Sequence, residues 1–178
     1  MSIIRSSKGA TPSKIGAGKQ SGSTLIEVLV SLLVLSFGML GMAGVQGVSL
    51  KANQSAYYRT MATTFTADIV ERMRANLVAV GNGNYDDITG AATDTCFTTA
   101  GCSGAQMAAQ DVLDWSAAIT AALPLGASVV CRDSTPTDGS AAATACDGAG
   151  AIYAIKIWWD DDRDGTADQI FTTTFRPI

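Results

Sequence analysis

The amino-acid sequence predicts an α+β protein in which a long N-terminal α-helix packs on a small antiparallel β-sheet. Three observations predict this class. An uncharged apolar run of 23 residues extends from Val28 to Leu50, an apolar stripe of helical period continues beyond it, and short segments near the C-terminus alternate apolar and polar residues. The 178 residues leave room for one modest domain beyond the apolar run.

Residues 1–22 are predicted to be a basic leader that is later removed. They are polar, rich in Gly and Ser, and contain four basic residues but no acidic one. Basic residues before an apolar run tend to stay in the cytoplasm, so the rest of the chain is expected to cross outward. Loss of these four bases takes the formal net charge from −4 to −8, which argues against general nucleic-acid binding.

Residues 23–50 are predicted to form a transmembrane and assembly helix. A span needs about 20 apolar residues, whereas the apolar part of a secretory signal has about 7 to 15. Four glycines at every third position, from Gly38 to Gly47, fit either close helix packing in a membrane or a helix that unwinds locally. Glu27 fits either a capping box that starts at Ser23 or Thr24, or a functional carboxylate at the membrane edge.

The helix is expected to continue as an amphipathic segment that ends at the "GNGN" of residues 81–84. An unbroken helix from Thr24 to Val80 would be roughly 85 Å long. A stripe of this kind usually forms core. Its members are Tyr58, Met61, Phe65, Ile69, Met73 and Leu77.

Residues 51–178 are predicted to form the outer globular domain. "AQMAAQDVLDWSAAITAALP" has apolar residues at helical spacing (Val112, Trp115, Ile119 and Leu123) and ends in a proline, so it predicts a second, short helix. "ASVVCR", "AIYAIKIWW" and "QIFTTTF" predict antiparallel strands.

The four cysteines, Cys96, Cys102, Cys131 and Cys146, all lie on the outward side, where disulfides persist. The chain has no histidine and no C-x-x-C pair, which argues against zinc. Three pairings are possible. The sequential pairing closes the shortest loops and is the one we expect.

The segment "WWDDDRDGTADQ" has the spacing of a calcium-binding loop, with Gly165 at the sharp turn. The expected ligands are Asp160, Asp162, Asp164, Thr166 and Asp168. Phe171 occupies the position where a bidentate acid belongs, so a solvated acidic turn between two strands is the alternative. Calcium is the one cofactor considered, and none is required. Without a histidine, a nucleophile elbow or a phosphate-binding glycine loop, the chain is not expected to be an enzyme.

The junction at Gly22 resembles the class III signal of type IV prepilins, because "STLIEVLVSLLVLSFGMLG" follows with a glutamate fifth after the glycine. Prepilin peptidase cuts such signals before the apolar helix, so the resemblance implies cleavage between Gly22 and Ser23 and N-methylation of Ser23. It also implies that Glu27 meets the N-terminal amine of a neighbouring subunit. Family members often have Phe at the first mature position, where this chain has Ser23.

Three segments resemble the PilV family of minor pilins, the type IV pilus modification proteins. They are "LIEVLVSLLVLSFGMLGMAGVQ", "NQSAYYRTMATTFTADIVERMRAN" and "DVLDWSAAITAALPLGASV". The resemblance implies a pilin-like fold, and an inner-membrane protein with a cytoplasmic N-terminus and a periplasmic domain that later joins the extracellular pilus. The implied partners are prepilin peptidase, the major pilin, other minor pilins, the inner-membrane assembly platform and a tip adhesin.

Two other functions fit parts of the sequence. A minor pseudopilin of a type II secretion system shares the signal and the helix, and the neighbouring genes would distinguish it. A secreted calcium-dependent binding module or enzyme would have an ordinary signal peptide cut near Ala43. The mature N-terminus distinguishes this last class from a pilin.

Overall fold

The computed structural model describes residues 23–88 and 94–177, and the leader lies outside these ranges. The described residues fall into two compact units, divided between Gln46 and Gly47. The helices are α1 (Ser23–Ala75), α2 (Leu77–Gly81) and α3 (Gly104–Ala122), with a 3-10 turn at Asp94–Phe97. The strands are β1 (Ala127–Arg132), β2 (Tyr153–Trp159) and β3 (Gln169–Phe175). The long helix and the antiparallel sheet confirm the predicted α+β class.

The first unit contains the N-terminal part of α1, and its apolar side chains are exposed. From Leu25 to Val45 each large apolar side chain is between 54% and 70% exposed. Among the described helices, α1 is the one that is long and apolar enough to cross a membrane, and its most apolar window is entirely unburied. A continuous apolar surface of this size marks contact with lipid or with partner proteins.

The prediction of an unbroken helix to Val80 is wrong at one residue. α1 ends at Ala75, and Asn76, with φ −127° and ψ 49°, separates it from α2. The Asn76 Nδ2 donates to the backbone carbonyl of Gly104 at 2.7 Å. An asparagine side chain that bonds to backbone competes with helix continuation, which explains the break. The helical region does end at Gly81, as the "GNGN" segment predicts.

The second unit is built on a three-stranded sheet of order β1-β2-β3, in which both pairings are antiparallel. The register places Val130 opposite Ile155 and Ile155 opposite Thr173. All seven residues of β2 are buried, so this strand does not have the solvated face that its alternating pattern suggests. The central position of β2 explains the difference, because helices cover one sheet face and the loop after β1 covers the other.

The core of the second unit lies between the sheet, α3 and the C-terminal part of α1. The helical residues at its centre are Tyr58, Ala62, Ile69, Met73, Val112, Trp115 and Ile119. The Trp115 indole Nε1 donates to the Phe65 carbonyl at 2.8 Å, which fixes α3 against α1. Leu77, predicted as part of the stripe, is instead 49% exposed because the stripe stops at the break.

The substitution Ile69→Ala should lower the free energy of unfolding by roughly 2–5 kcal/mol, because Ile69 is fully buried. Leu77→Ala is the matched control and should change it by less than about 0.5 kcal/mol. The measurement is urea unfolding of the full chain in detergent, followed by tryptophan fluorescence. Equal losses for the two variants would contradict the described helix break.

Candidate functional site

Glu27 lies near the start of α1 and is the one charged residue between Ser23 and Leu50. It lines a shallow groove on the helix surface together with Thr24, Val28, Ser31, Leu32 and Leu35. The Ser31 hydroxyl donates to the backbone carbonyl of Glu27 at 2.7 Å. This bond does not involve the Glu27 carboxylate. An acid therefore lies within an exposed apolar surface.

The capping alternative places Ser23 or Thr24 at the N-cap position of a box with Glu27. Both residues are helical in the described part of the chain, whereas an N-cap residue lies just outside the helix. The described residues therefore show no capping box around Glu27. In residues 23–88 and 94–177, no donor lies within hydrogen-bonding distance of its carboxylate. The arrangement leaves this carboxylate available for a cation from another molecule.

The turn between β2 and β3 brings together three of the five expected calcium ligands. One carboxylate oxygen each from Asp160, Asp162 and Asp164 lies within 4.8 Å of the other two. Asp168 lies outside this group, and the backbone carbonyl of Thr166 accepts a hydrogen bond from the Asp168 N–H. The predicted ligand set is therefore assembled only in part.

Asp160 accepts three of the backbone hydrogen bonds that shape this turn. It is 3% exposed, and its carboxylate accepts backbone N–H bonds from Arg163, Asp164 and Gly165 at 2.6, 3.2 and 2.9 Å. These bonds stabilise the left-handed conformation of Arg163 and Gly165, with φ values of 62° and 94°. One oxygen from each of three carboxylates gives three ligands, fewer than the six to eight oxygens that calcium takes, so an ion would need further oxygens from carboxylates, carbonyls or water.

A buried ionic cluster, which the sequence analysis did not identify, joins β2 to the loop after β1. Lys156 is fully buried, and its Nζ lies 2.6 Å from the Asp133 carboxylate and 3.0 Å from the Asp138 carboxylate. The same ammonium donates to the backbone carbonyls of Asp138 and Thr144 at 3.0 and 2.9 Å. One cation therefore holds several points of a surface loop. A lysine between apolar neighbours in "AIKIWW" was the available signal.

Lys156 and Asp138 stay charged over a wide pH range, because the pKa of the first is raised and that of the second is lowered. Burial by itself lowers the pKa of Lys156, but its hydrogen bonds to Asp133 and Asp138 raise that pKa above the ordinary value. The bond from Lys156 lowers the pKa of Asp138. The contribution of Lys156 to stability is present below about pH 10.4 and is lost as pH rises through its raised pKa. That of Asp138 is present above about pH 3.9 and is lost as pH falls through its lowered pKa.

The two disulfides have the sequential pairing, Cys96 with Cys102 and Cys131 with Cys146. The second bridge closes the loop that contacts Lys156. Within this loop Gly139 has φ +90°, and an added Cβ would lie 2.5 Å from the Thr144 carbonyl oxygen, so the closure requires glycine there.

A second polar network fixes the segment after α2 to both long helices. The Tyr85 hydroxyl donates to Asp111 at 2.7 Å, and Arg72 donates to the other oxygen of the same carboxylate at 3.3 Å. The Asn76 Nδ2 reaches the Tyr85 hydroxyl at 3.4 Å. Burial raises the pKa of Tyr85, and the bond to Asp111 raises it further, so the phenol stays protonated. Sequence spacing gave no indication of this network.

Comparison with known protein families divides the chain at nearly the same place as its two compact units. The prokaryotic N-terminal methylation motif matches residues 18–43, which include Gly22, Ser23 and Glu27. The family of type IV pilin Tt1218 matches residues 44–113. The chain is type IV pilin-like. No curated protein and no solved structure gives a significant match.

The pilin-like character agrees with the exposed apolar helix of the first unit. The methylation motif covers most of that surface, and together they fit a membrane-anchored pilin. Type IV pilins are structural proteins rather than enzymes. Processing by prepilin peptidase and assembly with other pilins follow from the same motif.

The substitution Lys156→Met should lower the free energy of unfolding by roughly 3–5 kcal/mol, because it leaves the buried Asp133 carboxylate without its cation. Arg74→Met, which breaks an exposed pair with Glu71, is the control and should cost at most about 1 kcal/mol. Urea unfolding of the full chain in detergent measures both. A loss for Lys156→Met no greater than that of the control would show that the buried cation does not stabilise the fold.

Proposed function

We propose that this chain is a minor pilin of the PilV type, which either primes a type IV pilus or is incorporated into it. The observation that carries the proposal is the exposed apolar surface of α1, which starts at Leu25, within the matched methylation motif. Exposure of this apolar surface to water is unfavourable. Lipid would cover it before assembly, and other pilin helices would cover it afterwards.

Two sequence blocks favour the PilV type within the pilins, and both contribute residues to the core or the polar contacts of the second unit. The "SAYYRT" block contains Tyr58, which is 5% exposed in the core, and the "RMRAN" block contains Arg72 and Met73. Met73 is fully buried and Arg72 bonds to Asp111 of α3. These blocks therefore support the architecture of the domain, while assembly depends on the exposed part of α1.

The proposed partners are the proteins that a minor pilin meets during its processing and assembly. Prepilin peptidase cuts between Gly22 and Ser23 at the cytoplasmic face, and the mature chain stays in the inner membrane with its domain in the periplasm. The inner-membrane platform then assembles it with the major pilin, other minor pilins and a tip adhesin. A minor pseudopilin is the nearest alternative, whereas the methylation motif weighs against an ordinary secretory signal.

Glu27 would select the position of each new subunit. Cleavage creates a cationic amine on Ser23, and the Glu27 carboxylate of a neighbouring subunit is an opposite charge in a low-dielectric setting. Such a pair offsets much of the burial cost, whereas either charge left unpaired is expensive. Only subunits at the correct axial position bring the two groups together, so the pair determines register.

The processing step is tested by mass spectrometry of the mature protein isolated from membranes. The expected N-terminus is Ser23, with or without a methyl group, because the class III signal is cut before its apolar helix. A mature protein that begins near Gly44 would instead indicate an ordinary signal peptide and would contradict the pilin proposal.

The assembly role of Glu27 is tested by Glu27→Gln, with Glu71→Gln as the control. Glu71 is also exposed on α1, and within the described residues its one salt bridge is with Arg74. Breaking a buried pair costs roughly 3–5 kcal/mol, so Glu27→Gln should be lost from sheared pili and from complexes with other minor pilins. It should still insert in the membrane, since a neutral side chain costs less there. Normal incorporation of this variant would contradict the assembly role.

Calcium binding by the acidic turn stays a prediction, supported by the three converging carboxylates. An ion that binds only the folded turn stabilises it by RT ln(1 + [L]/Kd), so millimolar calcium should raise the melting temperature of the full chain in detergent. Magnesium should do less, and Asp162→Ala with Asp164→Ala should abolish the response. Identical melting with calcium and with chelator would show that the segment is only a turn.

A further inference from the structure

The sheet of the second unit has one edge that the described residues leave open. β3 bonds to β2 on one side and has no strand on the other. The β1 edge is covered, because the Asp87 N–H donates to the Val130 carbonyl at 2.9 Å and the Arg132 N–H donates to the Asp86 carboxylate at 2.6 Å. The β1 edge of the sheet is therefore already hydrogen-bonded, whereas the β3 edge is open in the described residues.

The direction of the Val130 carbonyl shows which groups of β3 point outward. Val130 bonds away from β2, so its opposite residue Ile155 directs its backbone groups towards Thr173 of β3. Because the direction alternates along a strand, the N–H and C=O groups of Ile170, Thr172 and Thr174 point to the open edge. Among the described residues, none of these three has a backbone hydrogen bond to a loop or a turn.

This edge lacks the features that normally prevent strand pairing. Edge strands are usually interrupted by lysine, proline or a bulge, but residues 170–175 contain no charge and no proline. Three consecutive threonines, from Thr172 to Thr174, and two flanking phenylalanines are strong strand formers. The edge is therefore a ready template for another strand.

A residue of opposite charge lies directly beyond each end of the strand, Asp168 before it and Arg176 after it. Both are exposed, and neither forms a salt bridge within the described parts of the chain. The Asp168 carboxylate is contacted by the Gln169 side chain at 3.5 Å. Asp168 and Arg176 are also equidistant in sequence from Thr172.

We propose that β3 docks a second copy of this chain by antiparallel pairing centred on Thr172. This register places Thr172 opposite Thr172 of the second copy, Ile170 opposite Thr174, and Asp168 opposite Arg176. In this register the backbone groups that point out of one copy meet those that point out of the other. Other symmetric registers that satisfy this condition move Asp168 away from Arg176 of the second copy, whereas this one forms two cross-strand ion pairs between them. Two three-stranded sheets become one continuous sheet across a two-fold axis.

A cysteine cross-link on the full chain in detergent tests the register. All four native cysteines are in disulfides, so a new cysteine supplies the one free thiol. Hydrogen-bonded residues across an antiparallel pair have Cα atoms about 5.5 Å apart, within the range of a disulfide. Mild oxidation should therefore link Thr172→Cys into a dimer. It should not link the control Thr174→Cys, whose two copies lie about 14 Å apart.

Reversal of the two charges tests whether the dimer is held together by these ion pairs or by contacts between the apolar helices. Asp168→Arg and Arg176→Asp each place like charges opposite one another, and each should weaken dimerisation by about fivefold or more in sedimentation experiments. The double variant should restore it. A monomeric wild-type chain, equal cross-linking at positions 172 and 174, linkage to a different protein, or charge variants that all dimerise like the wild type would each overturn the proposal.

Discussion

The burial of one stripe of α1 against the sheet is the constraint on which the second unit depends. Ile69 and Met73 are fully buried, and the Trp115 indole bonds to a carbonyl of the same helix, so α3 and the sheet take their positions from this stripe. The residues of α1 before Gly47 instead expose their apolar side chains. One continuous helix therefore serves an internal core in one part and external contacts in the other.

The elements of this fold could be predicted from local signals, whereas the polar contacts between elements could not. The bounds of β1 and β3 equal two of the segments predicted as strands, and the disulfide pairing is the one expected from loop length. The break at Asn76 depends on Gly104, a residue distant in sequence, and no local pattern contains that information. The same holds for Lys156, whose partners lie on a separate loop.

Within the candidate site, the sequence placed Glu27 correctly in an apolar setting but left two roles open for it. Ser23 and Thr24 are both helical in the described part of the chain, so neither is the N-cap of a box with Glu27 there. The acidic turn shows the reverse situation. Its spacing suggested five ligands, but backbone hydrogen bonds to Asp160 shape the turn so that only three carboxylates converge. The sequence spacing of the acidic residues identifies candidate ligands, and the path of the backbone determines which of their carboxylates lie close together.

The way Lys156 holds its loop has a consequence for how the surface of this protein can vary. Two of its contacts are with the backbone carbonyls of Asp138 and Thr144, and every amino acid offers such a carbonyl. The disulfide closes the loop at its ends, so the exposed residues between these anchors, such as Ala142 and Ala143, carry little of the structural load. Substitutions on the outer face of this loop can therefore change the surface that the protein presents to other molecules, while the contacts of Lys156 beneath it stay the same.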